Sequence, residues 1–273
     1  MARALKKIPR PVFGLLIGLS FLLPLYFTLV TSLDTKADVF RFPPHLTFDW
    51  QWSVYARAWH MFRWPMYFGN TVLIAAVTIA LALTTSILAA YALSFIEFRG
   101  RNLVFSLILL VLMIPAEAHL IPNYITLAKM NLVDTYWAQI LPYGASVFGI
   151  FLLRQFFLTL PKDYWEAARM DGCGHLRFLW SVALPQCKPI LFTIGLYIFI
   201  GSWNSLMWPL MVTQSHHVQP VEVALARFLD GNSVDWRRLS AASVFTTLPV
   251  VIMFLIFQKH IIRGISRGEG VKG

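Results

Sequence analysis

The chain has 273 residues, 58% of them hydrophobic and only 13% charged, with a mean hydropathy of +0.63. A soluble domain of this size would carry far more charge, so the composition is that of an integral membrane protein. The net charge of +10 does not point to nucleic acid, because the basic residues cluster beside the apolar stretches, and the two cysteines, Cys173 and Cys187, form neither a metal-ligand spacing nor a disulfide framework.

A helix needs roughly 20 apolar residues to cross the hydrocarbon core. Six stretches qualify: Val12–Leu33, Asn70–Ile96, Leu103–Leu127, Tyr136–Leu158, Pro189–Thr213 and Ala242–Ile262. No internal repeat, low-complexity tract or soluble domain interrupts them, so residues 1–273 read as one transmembrane domain. The first stretch follows basic residues as a signal peptide would. Its apolar run continues to Leu33 without a small-residue cleavage site, and an uncleaved first span is expected.

After it, Trp52, Tyr55, Trp59 and Phe62 recur at helical spacing while Arg57 and His60 point elsewhere. That pattern predicts a helix lying flat at the outer interface, serving either as packing or as a docking platform for an external partner. Ile114-Pro115 interrupts the third stretch, as a tolerated proline or as a break at the edge of a path. Glu117 and His119 follow it, either solvated at the interface or lining that path. Arg154, near the end of the fourth stretch, is expected to snorkel to the inner surface. The fifth stretch holds Trp203, Asn204, Ser205 and Trp208, a polar and aromatic cluster in the outer half of the helix. Two uses fit it: interhelical packing with Asn204 as the hydrogen-bond link, or a surface for a hydroxylated solute passing through.

Lys and Arg assign the loops. Arg3, Lys6, Lys7 and Arg10 precede the first span; Arg99 and Arg101 lie between the second and third. Lys162, Arg169, Arg177 and Lys188 lie between the fourth and fifth, and Lys259, Arg263, Arg267 and Lys272 follow the sixth. On the other side, the third-to-fourth loop has only Lys129. In the first outer loop Lys36, Arg41, Arg57 and Arg63 are offset by Asp34, Asp38 and Asp49. Between the last two spans Arg227, Arg237 and Arg238 are offset by Glu222, Asp230 and Asp235. Both termini and the fourth-to-fifth loop are therefore expected in the cytosol.

That cytosolic loop contains Leu160-Pro-Lys-Asp-Tyr-Trp-Glu-Ala-Ala-Arg-Met-Asp-Gly172, a polar helix too short to span. Pro161 suits its first turn, Asp163 complements the positive end of its dipole, and Gly172 permits the turn that ends it. Glu166, Ala167 and Ala168, three residues, Gly172, nine residues, then Val182, one residue, and Leu184-Pro185 is the full spacing. This resembles the EAA loop of the permease subunits of ATP-binding-cassette (ABC) importers, with Val182 where that family more often has Ile. The other reading of the segment, an amphipathic helix lying on the inner membrane surface, does not account for the downstream spacing.

The resemblance extends over nearly the whole chain. The Trp-Asn…Trp-Pro run at Trp203, Asn204, Trp208 and Pro209 resembles sugar-type permeases of the maltose and glycerol-3-phosphate kind, as does the ending Arg263-Gly264 with Val271-Lys-Gly273. It implies an all-α MetI-like permease fold with six transmembrane helices and a coupling helix that docks on a separate ATPase. In that role Glu166 would make a charge-assisted bond to the ATPase, Ala167 and Ala168 would permit close approach, and Asp171, Gly172, Leu184 and Pro185 would complete the element. The implied partners are ABC ATPase subunits, a second paralogous permease and an extracytoplasmic solute-binding protein, in a bacterial or archaeal cytoplasmic membrane. The implied cargo is an oligosaccharide, polyol or glycerol phosphate.

No span holds two acidic residues, and no His-x-x-x-His or Glu-x-x-His occurs, so a membrane-embedded enzyme is disfavoured. No Gly-rich phosphate loop is present either, so the chain is not expected to hydrolyse ATP itself; the resemblance implies that it takes no cofactor and that ATP and Mg are bound by the partner ATPase. The rival class is a self-sufficient ion-coupled secondary transporter. It would call for ionisable residues mid-span and two pseudo-symmetric halves, and neither is evident.

Overall fold

A computed structural model describes residues 10–35, 50–229 and 234–268, with side chains described over 12–35, 50–229 and 234–256. Lys36, Asp38, Arg41, His45, Asp49 and Asp230 lie outside the described residues, as do the basic arm before Arg10 and the Val271-Lys-Gly273 ending. The fold is helical throughout those residues. Three helices are each long and apolar enough to cross a bilayer: Val12–Leu33, Trp64–Phe95 and Trp236–Ile256.

The other three predicted spans are bent pairs rather than single rods. Arg101–Met113 and Ala116–Lys129 meet at 99°, Tyr136–Tyr143 and Val147–Thr159 at 40°, and His175–Gln186 and Lys188–Trp203 at 82°. The first bend decides between the two readings of Ile114-Pro115 in favour of a break, and its cause is Pro115. The proline ring forces the preceding residue out of the helical region, and Ile114 is extended at φ −82°, ψ 122°. The fifth stretch is interrupted again: α11 (Lys188–Trp203) stops, Asn204, Ser205 and Leu206 are not helical, and α12 (Met207–Val212) resumes. Hydropathy reads apolar length and is blind to such breaks.

The chain divides into two compact units, Met1–Trp64 with Ala224–Ile252, and Pro65–Val223 with Met253–Gly273. In the first unit, α1 (Arg10–Leu33) leads to α2 (Ser53–Met61), and Ser32 Oγ lies 2.8 Å from the Tyr55 hydroxyl. The predicted outer helix is thus present, but its aromatic stripe is not the face it buries. Val54 and Ala58 are the buried residues and pack with Ala241; Trp52 and Trp59 stay largely exposed. Trp59 still touches Phe245 edge-on at 5.5 Å, and Arg57 and His60 are exposed as expected.

The second unit is built on α3 (Trp64–Phe95), with α4 (Arg101–Leu110), α5 (Leu120–Lys129), α6 (Tyr136–Ile140) and α7 (Val147–Thr159). Small residues set the closest approach. A Cβ on Gly149 of α7 would lie 2.8 Å from Ser86 Oγ and 3.2 Å from Ile194 Cγ2, so glycine is what lets α7 reach α3 and α11. At the α6–α7 bend α3 donates to two carbonyls: Thr85 to Gly144 O at 2.8 Å and Ser86, at 3.2 Å, to Ser146 O, which also accepts the Ile150 N–H of α7 at 2.9 Å. A backbone break inside a membrane persists when its polar groups find partners in this way.

Arg154 does not snorkel. It is 8% exposed, donates to Leu93 O at the C-terminal end of α3 and to Asn102 Oδ1, and lies 4.0 Å from the Phe105 ring centroid. A helix C-terminus carries partial negative charge, and here it takes the place of the water the sequence reading assigned to this guanidinium.

Candidate functional site

Two places in the second unit gather the predicted site residues. The first is the loop after α7. Helix α8 (Lys162–Met170) has Pro161 as its N-cap, one position before the predicted first turn, and Asp163 lies in that turn. Gly172 has φ 74°, which favours glycine, and the chain leaves α8 by a Schellman motif. Cys173 N bonds Ala168 O at 2.8 Å and Gly172 N bonds Arg169 O at 3.0 Å, with Asp171 as the C-cap. The loop is more ordered than the sequence reading drew it. Helix α9 (His175–Phe178), a π-helical turn over Leu179–Ala183 and α10 (Leu184–Gln186) run on to Cys187, where the chain bends into α11.

Trp165 and Ala168 are the half-buried face of α8 and pack on the core formed by Tyr91, Leu153, Phe157, Phe178 and Leu179. Val182 packs against the same core, Leu184 is buried in it, and Pro185 is exposed. Glu166, Ala167 and Asp171 face outward, and the Glu166 carboxylate has no ion-pair partner among the described residues. Met170, 88% exposed, together with Tyr164, Leu176 and Trp180, adds apolar surface on this side. An exposed carboxylate on a helix that also carries exposed apolar groups can make a charge-assisted contact with a second protein.

Sequence reasoning missed how this helix is held. His175 had no evident partner in the sequence, yet its ring stacks on Trp165 at 4.3 Å and its Nδ1 lies 2.9 Å from the Tyr91 hydroxyl. No spacing signals the pairing, since Tyr91 is 84 residues away in sequence.

The second place is a cavity of about 280 Å³ walled by α3, α6, α11 and α12 and by the two helix breaks. Its lining includes Thr78, Gln139, Tyr143, Ser146, Ser205 and Trp208. Thr78 and Gln139 are each 3% exposed, and Thr78 Oγ1 and Gln139 Oε1 have no hydrogen-bond partner among the described residues. Oxygens buried without partners cost roughly 1–3 kcal/mol each, and these two are sealed behind the cavity surface rather than open to it.

Of the predicted solute-path residues, Ser205 and Trp208 line this cavity; Trp208 is fixed by Nε1 donating to Ala138 O at 3.0 Å. Trp203 is buried between Phe68 and Phe199 rather than on the cavity wall. Asn204 is exposed and caps α11 through its backbone N–H to Ile200 O, and Glu117 is exposed in a 3₁₀ turn, Ala116–His119.

Beyond the cavity, the segment from Gln214 to Val221 is strapped down mostly through its backbone. Asn70 Nδ2 donates to His217 O and Gln219 O at 2.8 and 2.9 Å, Gln139 Nε2 to Val218 O at 2.8 Å, and Val221 N to Thr71 Oγ1 at 2.8 Å. Asp134 Oδ1 accepts from Gln214 N and Ser215 N. Burial pushes the Asp134 carboxyl up, but these N–H donors and the Ser215 hydroxyl outweigh it and hold the group below its ordinary value.

Residues 82–267 match the model of the family described as binding-protein-dependent transport system inner membrane component. The chain is 31% identical over 274 residues to the arabinooligosaccharides transport system permease protein AraQ of Bacillus subtilis, covering 98% of this chain and 96% of that one. It is 35% identical over 271 residues to the sn-glycerol-3-phosphate transport system permease protein UgpE of Yersinia pestis, covering 93% and 94%. Among solved structures it is similar, with a TM-score of 0.77 and 26% identity, to a bacterial ABC transporter involved in the import of the acidic polysaccharide alginate, over 91% of this chain and 94% of that one.

Proposed function

The chain belongs to the family of binding-protein-dependent transport system inner membrane components, the permease subunits of ABC importers, and from that premise we propose that it carries a sugar or sugar-like solute inward. It is a transport subunit and not an enzyme. The reading of an ion-coupled secondary transporter falls away.

The observation that carries the coupling role is the exposed Glu166 on a short helix whose opposite face is bound to the core through Trp165 and Ala168. A separate ATPase docks on Glu166, Ala167 and Asp171, while Gly172, Leu184 and Pro185 keep the loop's shape. A second permease completes the pore, and a solute-binding protein delivers cargo from outside a bacterial or archaeal cytoplasmic membrane. Both termini lie in the cytosol with the coupling loop, and ATP and Mg stay with the ATPase.

The cavity supports the solute class. The hydroxyls of Ser146, Ser202 and Ser205 beside the exposed Tyr143 ring suit a hydroxylated ligand, since an aromatic face stacks on sugar C–H surfaces while hydroxyls pair with hydroxyls. Broken helices lining a cavity are the usual membrane device for exposing polar groups to a solute. Ser205, Trp208 and Tyr143 are the groups assigned to contact, and Trp203, Asn204 and Glu117 flank the path. The test is transport by the reconstituted importer. Glu166→Lys should insert and assemble its pore yet lose ATP-driven uptake; full-rate uptake would contradict the coupling role.

A further inference from the structure

We propose that Tyr91, His175 and Trp165 form a relay that transmits movement of the coupling helix to the span α3 and to the hinge before α11. The proposal rests on the coupling role assigned to α8 and names the residues that carry the motion inward.

Helix α8 is held from one side only. Trp165 is its aromatic contact with the core, stacked on His175 at 4.3 Å with an interplanar angle of 23° and meeting Phe178 edge-on at 5.0 Å. His175 in turn lies 2.9 Å from the hydroxyl of Tyr91, a residue of α3 that is 4% exposed. Among the described residues this is the one side-chain hydrogen bond joining residues 161–187 to another helix; the other bonds from this stretch, at Cys173, Gln186 and Cys187, stay within it.

The position of His175 gives the contact mechanical meaning. It is the first residue of α9, directly after the Schellman turn, and α9 runs into the π-helical turn at Leu179–Ala183 and the 82° bend at Cys187. π turns are rare inside helices and occur frequently at functional sites. The imidazole therefore touches three parts at once: the docking helix through Trp165, a span through Tyr91, and the hinge through its own backbone. A flat ring pressed on an indole transmits a push, and the hydrogen bond fixes its direction. Packed aromatic groups of this kind have discrete arrangements and do not absorb a displacement by yielding.

These are positioning residues, so the test reads response and not fold. The whole importer in native membrane vesicles is labelled with a maleimide at Ser202→Cys on the cavity wall, and labelling is resolved by site with mass spectrometry. The readout is the ratio of labelling rates with and without ATP plus vanadate. Tyr91→Phe and His175→Phe each remove the hydrogen bond and keep an aromatic ring. Each should leave the ATPase bound and reduce the nucleotide-driven change about fivefold, the factor that one net hydrogen bond supplies. Because both variants delete the same bond, the double variant should be no worse than either single one.

A wild-type ratio in both single variants overturns the relay. So does loss of the bound ATPase in both, which would make the contact one for assembly. Glu166→Lys separates the two levels: if it keeps both the ATPase and the wild-type ratio, the coupling role itself is wrong. A wild type whose labelling ignores nucleotide has the same meaning.

Discussion

Gly149→Ala is the sharpest test of how the second unit is packed. The added methyl would sit 2.8 Å from Ser86 Oγ, 3.2 Å from Ile194 Cγ2 and 3.3 Å from Ser146 Cβ, in a place where Ile194 is fully buried. Contacts below 3.0 Å do not persist, so something must move. Ser86 is tied in place, because its hydroxyl donates to the Ser146 carbonyl as a second partner beside the Ile150 N–H. Overpacking of this kind costs about 1–3 kcal/mol, and losing the Ser86 hydrogen bond adds up to about 1 kcal/mol. Thermal unfolding in detergent, followed by a thiol-reactive dye reaching the buried Cys187, should show a midpoint about 5–10 °C lower. Ser86→Ala in the same chain removes the nearest clash and should recover part of the loss. An unchanged midpoint, or no recovery, would refute the packing argument.

Arg154→Met should destabilise by about 1.5–3 kcal/mol, because Leu93 O and Asn102 Oδ1 lose a charged donor; Arg154→Lys, without the fork, should fall between, as denaturation in the same assay can check. At Gly172, φ 74° makes Ala cost about 1–2 kcal/mol while Asn costs less, and protease nicking of the α8–α9 turn in the Ala variant measures it. Burial pushes the Glu222 carboxyl above its ordinary value of 4.5. A raised value means that its contribution to stability is complete below the unfolded value and is lost as pH rises through the folded one. The unfolding midpoint should therefore decline across that window in the wild type and decline less in Glu222→Gln; equal slopes would remove Glu222 as the cause.

The long apolar helices Val12–Leu33, Trp64–Phe95 and Trp236–Ile256 were legible because burial in lipid demands long apolar runs whatever their partners. The loop from Glu166 to Pro185 was legible because its spacing is local, and Gly172 carries the positive φ that its position implied. What stayed hidden depends on distant partners. Arg154 looked like a snorkelling residue because nothing nearby in sequence reveals Leu93 O, Asn102 or the Phe105 ring. The break at Asn204–Leu206 has no proline before it and leaves hydropathy untouched. Gln139 and Thr78 gave no signal at all, since a Gln on a short helix and a Thr in a long apolar one are ordinary until a cavity joins them.

The central claim is that this chain is the pore half of an importer driven by a separate ATPase. Gentle detergent purification from the native membrane, with identification of the proteins that accompany it, tests that most directly. An ABC-type ATPase and a second permease should accompany the wild type, and Glu166→Lys should lose the ATPase alone. A chain that purifies by itself and moves solute in vesicles without ATP would contradict it.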